Sequence, residues 1–127
     1  YTTAGPALLA AAVEASLQLI REEEWRRERL HRRIGALKQA LHGTDVLLAS
    51  SDTPIQPFII GGNAEAVSAS AALRERAILV PAIRPPTVPE GTARLRISLS
   101  AVHGEDDVAR LAAALREVCP SRTAVHA

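Results

Sequence analysis

Methionine is missing from this chain, and cysteine and lysine occur once each, at Cys119 and Lys38. A lone cysteine leaves no internal disulfide and no cysteine metal cluster, so a reducing cytoplasm is the simplest setting. The four histidines, His31, His42, His103 and His126, are far apart and never show metal-ligand spacing. Charge of one sign is lacking too: 15 basic and 14 acidic residues give a net charge of +1. That balance offers no footprint for nucleic acid or an anionic membrane. No apolar run is long enough for a membrane span. The run Ala4 to Ala15 lacks a basic leader and contains Pro6 and Glu14, so it is no signal peptide either. Without an initiator methionine, and opening on Tyr1-Thr2-Thr3, the chain reads as a fragment of something longer. Ser98 and Ser100 have no nucleophile-elbow context, and Gly61-Gly62-Asn63 lacks the glycine spacing of a phosphate loop.

What is present fits one domain with an ordinary core, at 127 residues and 47% hydrophobic content. From Pro6 to about His42 the spacing predicts one long helix, with Thr2 or Thr3 near the cap and Gly43 as the stop. Its middle, Arg21 to Arg33, reads as a solvated face, with Glu22, Glu23 and Glu24 able to pair with Arg26, Arg27 and Arg29 at i,i+3 to i,i+5. Helices of this length usually pack across a second domain or a partner. Two strands are expected at Val46 to Ala49 and Pro54 to Ile60, with Pro57 marking an edge or a bulge. A helix over Ala64 to Glu75, burying Val67, Ala71 and Leu73, leads to strands at Ala77 to Val80 and Arg94 to Ser100. The last helix runs from Gly104 to about Val118, with Glu105, Asp106 and Asp107 in its first turn and Pro120 at its end. The expected fold is a two-layer α/β (α+β) arrangement, a small, mostly antiparallel sheet covered by two helices. The expected divisions are a leading helix over 1–43, an α/β domain over 44–120 and a tail over 121–127.

One segment stands out for function, Val80-Pro81-Ala82-Ile83-Arg84-Pro85-Pro86-Thr87-Val88-Pro89. Its prolines fix φ and bias the preceding residues toward extended backbone, so the loop is stiff before anything binds. It holds one arginine and one threonine hydroxyl, and the planar fork of Arg84 suits a carboxylate or phosphate. Spacing leaves two readings open, an anion-reading site or a surface arginine in a proline-rich loop. Arg94 and Arg96 share one face of an alternating strand and read as solvated or ion-paired. His103, at a strand-to-helix junction, reads as a cap or packing element.

Ala82-Ile83-Arg84-Pro85-Pro86-Thr87-Val88-Pro89, together with Gly91-Thr92-Ala93-Arg94-Leu95-Arg96 and Ser98-Leu99-Ser100-Ala101-Val102-His103, resembles the C-terminal domain of the pyridoxal-phosphate-dependent α-oxoamine synthases. Tyr1 to Pro6 and Ile55 to Gly61 resemble the same family, so the likeness runs over nearly the whole chain. It is strongest to the branch of biotin biosynthesis that condenses L-alanine with a pimeloyl thioester of coenzyme A or acyl-carrier protein, with loss of CO2. The resemblance implies the small domain of a fold-type I enzyme that works as a cytoplasmic homodimer. It implies that Arg84 clamps the carboxylate of the amino-acid substrate, that Thr87 lines the substrate site, and that Thr2 and Thr3 reach the cofactor phosphate of the neighbouring subunit. The family's Schiff-base lysine has no match, because Lys38 stands on the charged helix. The fragment is therefore expected to hold no catalytic residue, to bind pyridoxal phosphate poorly and to be inactive alone. Synthases that use glycine or serine resemble it only around Thr-Val-Pro or Val-Pro and stay as alternatives, as does a non-catalytic small-molecule or interaction module.

Overall fold

A computed structural model describes residues 5–43 and 47–119. Its order is α1 (Ala7–Glu22), α2 (Trp25–Leu41), β1 (Leu47–Leu48), β2 (Ile55–Gly61), α3 (Asn63–Glu75), β3 (Ala82–Ile83), β4 (Ala93–Ser98) and α4 (Glu105–Val118). The four strands form one sheet in the order β1-β2-β4-β3, antiparallel at every pairing. The two-layer α+β architecture expected from the sequence is what forms.

β4 alternates strictly. Ala93, Leu95 and Ile97 are buried, while Arg96 and Ser98 are exposed on the opposite face with Arg94 half-buried. Successive strand residues point to opposite sides, so one set enters the core and the other leaves it. β2 puts Gln56 and Phe58 on the same inner side, opposite Ile97 and Leu95. Against this face lie Leu73 and Ala69 of α3 and Val108, Leu111 and Leu115 of α4, and Ile34, Leu37 and Leu41 of α2 join the same cluster. Three helices thus supply the second layer, where two were expected.

Several elements differ from the expectations. The long helix is two, parted at Glu23 and Glu24, where Glu23 leaves the helical region with φ −104 and ψ 59. Local groups satisfy the break: Arg27 Nη1 donates to the Ile20 carbonyl at 2.7 Å, Glu23 pairs with Arg26, and Glu24 with Arg27. Orphan carbonyls at a helix end need such partners, and here a side chain from the next helix provides one. The charged stretch is also not solvated throughout, because Arg33 is buried. It lies four residues from Leu37 and eight from Leu41, on the core stripe of α2. Its Nε donates to the His103 carbonyl at 3.1 Å and its Nη1 to Glu105 at 2.8 Å, which ties α2 to the start of α4.

The buried stripe of α3 is Ala66, Ala69 and Leu73, with Val67 and Ala71 exposed. Small residues bring this helix close to the sheet, and Val67 turns outward. No strand forms at Ala77 to Val80. Ala77 turns the chain with φ 58, Val80 is buried, and its carbonyl accepts from the Ser70 hydroxyl at 2.7 Å. The ladder with β4 begins only where the Pro81 carbonyl accepts from Arg96 N–H. Pro57 lies in an interior strand, and the irregularity falls between Ile59 and Gly61. Its carbonyl accepts from Ala49 N–H at 2.9 Å, a bond that needs no donor from proline. The Thr2 or Thr3 cap, the Pro120 stop and the tail over 121–127 lie outside the described residues.

Arg33 holds the exposed carboxyl of Glu105 below its usual range, first through their hydrogen bond and then through charge, with Arg29 and Arg32 adding to it. A depressed folded pKa means stability present above the unfolded value and lost as pH falls through the folded one. Glu105→Gln should therefore lower the urea midpoint at neutral pH and flatten its decline into acid. An unchanged acid limb in the variant would show that the pair contributes nothing.

Candidate functional site

The proline-rich loop joins β3 to β4, two antiparallel strands paired at Ala82 with Leu95 and Ile83 with Arg94. Its two ends are therefore fixed side by side at the margin of the sheet. Arg84 follows directly on β3 and begins a turn whose Thr87 N–H donates to the Arg84 carbonyl at 3.0 Å. The Pro85–Pro86 peptide within that turn is cis, as in a turn with cis proline at its third position. Four residues bring the backbones of Arg84 and Thr87 within one hydrogen bond of each other.

A second turn closes the loop. Thr92 donates to the Pro89 carbonyl twice, from its hydroxyl at 2.7 Å and its N–H at 3.2 Å. Gly91 sits between them with φ +73, a left-handed conformation that side chains resist. Arg94 Nε then donates to the Thr92 carbonyl at 3.0 Å. Backbone and short polar groups hold the loop and leave its two candidate side chains uncommitted. Arg84 and Thr87 are both exposed, and among the described residues neither side chain has a partner.

A guanidinium with all donors free, on a loop stiffened by proline and two turns, can bind a carboxylate or phosphate without first breaking an internal bond. Arg94 and Arg96 form no ion pair among the described residues. They stand on the outer face of β4, opposite Ile59 and Pro57 of β2. His103 is at the other end of that strand. Its Nδ1 accepts from Ser100 N–H at 3.1 Å, so it caps the turn into α4 as expected.

Lys38 is paired with Asp52 at 3.0 Å on the exposed surface, remote in sequence from the loop. Burial pushes the Cys119 thiol up, which makes it a poor nucleophile. Among the described residues no cluster of histidine, cysteine and carboxylates could hold a metal, and no helix is long and apolar enough to cross a membrane. Thr2 and Thr3 lie outside the described residues.

Residues 1–115 match the family of class I and II aminotransferases. The chain belongs to that family. It is 62% identical over 118 residues to 8-amino-7-oxononanoate synthase of Nitrosomonas europaea, covering 93% of this chain and 30% of that protein. Among solved structures, serine palmitoyltransferase from S. paucimobilis with bound PLP is 27% identical with a TM-score of 0.78, covering 93% of this chain and 31% of that one. The 8-amino-7-oxononanoate synthase of Francisella tularensis is 28% identical with a TM-score of 0.77, covering 93% and 35%. The chain spans about a third of the length of the relatives it matches.

The loop's rigidity can be read at glycine. Around Gly91 there is open space, so Gly91→Ala meets only the backbone penalty of φ +73 and should cost about 1–2 kcal/mol. Gly35, inside α2 with equal space, should respond oppositely: Gly35→Ala gains about 0.5–1 kcal/mol. Denaturant midpoints of the two variants moving the same way would refute this account of the turn.

Proposed function

We propose that this chain is the C-terminal part of an 8-amino-7-oxononanoate synthase, which condenses L-alanine with pimeloyl-CoA or pimeloyl-acyl-carrier protein, with loss of CO2, in biotin biosynthesis. The observation that carries it is the loop: a free Arg84 and a free Thr87 on a closed turn, within a sequence 62% identical to such an enzyme. In this reading the whole enzyme is a cytoplasmic homodimer. Residues 44–120 are its small domain and 1–43 the helical lead into it, with α2 anchored in the small domain's core.

Arg84 receives the α-carboxylate of the amino acid, its planar fork meeting two oxygens at once. Thr87, one turn away, lines the same site and offers a hydroxyl that can donate or accept. Thr2 and Thr3 are assigned to the cofactor phosphate of the neighbouring subunit. Pyridoxal phosphate, when bound to the full enzyme, supplies the electron sink for the carbanion formed at the amino acid's α-carbon. Lys38, on α2, is assigned no part in its covalent attachment. This chain alone is therefore assigned substrate orientation and no bond-making step.

A second reading has a specific observation behind it. The structural likeness to serine palmitoyltransferase favours a synthase that uses serine in place of alanine. The 62% identity to the 8-amino-7-oxononanoate synthase of Nitrosomonas europaea supports the first reading. Turnover of the full-length enzyme with L-alanine, glycine and L-serine decides between them, with alanine expected to be preferred.

In that enzyme, Arg84→Ala should raise the Michaelis constant for the amino acid roughly ten- to a hundredfold. A charged hydrogen bond of about 1.5–3 kcal/mol is lost, while cofactor affinity stays nearly constant. Unchanged kinetics would remove Arg84 from the substrate site.

A further inference from the structure

Arg94 is tied to both ends of the proline-rich loop. In the β3–β4 ladder it stands opposite Ile83, the residue before Arg84. Bonded pairs recur every second residue along an antiparallel ladder, and Arg96 N–H donates to the Pro81 carbonyl at 3.0 Å, so Arg94 and Ile83 make the next bonded pair. That pair sets the entry to the loop. At the exit, the side chain of Arg94 folds back along its own strand, and its Nε donates to the Thr92 carbonyl at 3.0 Å. Thr92 in turn donates to the Pro89 carbonyl from its hydroxyl and its N–H. A row of bonds therefore runs from β4 through Thr92 to Pro89, two residues past Thr87.

Arg94 is half-buried and makes no ion pair among the described residues, so its side chain is committed, through Nε, to one backbone oxygen. Fixing so long a side chain costs conformational entropy that a single bond at the margin of the sheet barely offsets. What the bond supplies is geometry. The side chains of Arg84 and Thr87 have no partner among the described residues, so their positions follow from the backbone at the two ends of the loop. We propose that Arg94 is a positioning residue for the amino-acid carboxylate. Its Nε–H bond to the Thr92 carbonyl holds the exit turn, and through that turn it holds Arg84 where the carboxylate is received. The inference rests on the role proposed for Arg84 and assigns Arg94 no contact with substrate or cofactor.

The test measures steady-state kinetics of the full-length enzyme with L-alanine. Arg94→Met keeps an unbranched stem and removes the donor, whereas Arg94→Gln removes the charge but keeps an amide N–H on the atom that stands where Nε does. Arg94→Met is expected to raise the Michaelis constant for L-alanine about three- to tenfold, the worth of one such bond, with kcat and the absorbance of bound pyridoxal phosphate nearly unchanged. Arg94→Gln should restore the constant to near the parent value. In an Arg84→Ala background, Arg94→Met should add nothing further, because residues acting through one contact are not additive. The same rise in both backgrounds, or Arg94→Gln as impaired as Arg94→Met, overturns the inference. Loss of kcat or of cofactor absorbance in Arg94→Met makes the residue structural and overturns it as well. An unchanged constant in Arg94→Met, while Arg84→Ala still raises it, strikes the inference and leaves the proposed function standing. Unchanged kinetics in Arg84→Ala overturn both.

Discussion

Everything around the candidate site depends on the alternation of β4. Because strand side chains have a period of two, a slip of one residue would turn Ala93, Leu95 and Ile97 out of the core and Arg94 and Arg96 into it. Burying three apolar side chains is favourable by several kcal/mol in total, whereas burying unpaired guanidinium groups costs far more. The register is therefore held from both faces. It fixes Ile83 against Arg94 and Pro81 against Arg96, and so sets the span that residues 84–92 must bridge. The position of Arg84 is a consequence of hydrophobic burial two strands wide.

Polar groups inside the fold serve the same end. Gln56 is fully buried beside Ile97, and its amide nitrogen donates to the carbonyls of Ser51 and Thr53 at 3.0 and 2.7 Å. The turn into β2 is pinned to the strand that carries β4. Arg33 works at the far end, bonding the His103 carbonyl as β4 gives way to α4. A buried donor bound to backbone carbonyls fixes geometry more than it adds stability, because desolvation offsets much of each bond. Between them, Gln56 and Arg33 hold the two sides of the sheet's outer end and leave its loop end to the turns around Thr87 and Thr92.

How much of this was legible in the sequence divides along physical lines. The sheet strands β2 and β4 and helix α4 follow from periodicity and acidic or glycine punctuation, which are local signals. At the break at Glu23 the Arg27 guanidinium donates to the carbonyl of Ile20, seven residues before it, and no pattern of apolar residues encodes that. The strand expected at Ala77 to Val80 failed because a helix hydroxyl competes for the Val80 carbonyl. Arg33 was readable in principle, since it shares the stripe of Leu37 and Leu41, but a dense run of charge hid it. The loop was legible because proline acts on its own neighbours, while the roles of Arg84 and Thr87 came from resemblance.

That difference bears on specificity. A carboxylate is common to every α-amino acid, so in the proposed role the fork of Arg84 would grip alanine, glycine and serine alike. It would orient whichever is bound, and uniform recognition of this kind lowers the Michaelis constant without choosing between substrates. Discrimination has to come from groups that meet the side chain. A methyl group in an apolar pocket is worth only about 1–3 kcal/mol, whereas a buried group built to bond a hydroxyl rejects its absence strongly. Thr87 is the one uncommitted hydroxyl on the loop beside Arg84. A site that relies on it would favour a polar side chain, and a site that merely packs against its methyl would favour alanine.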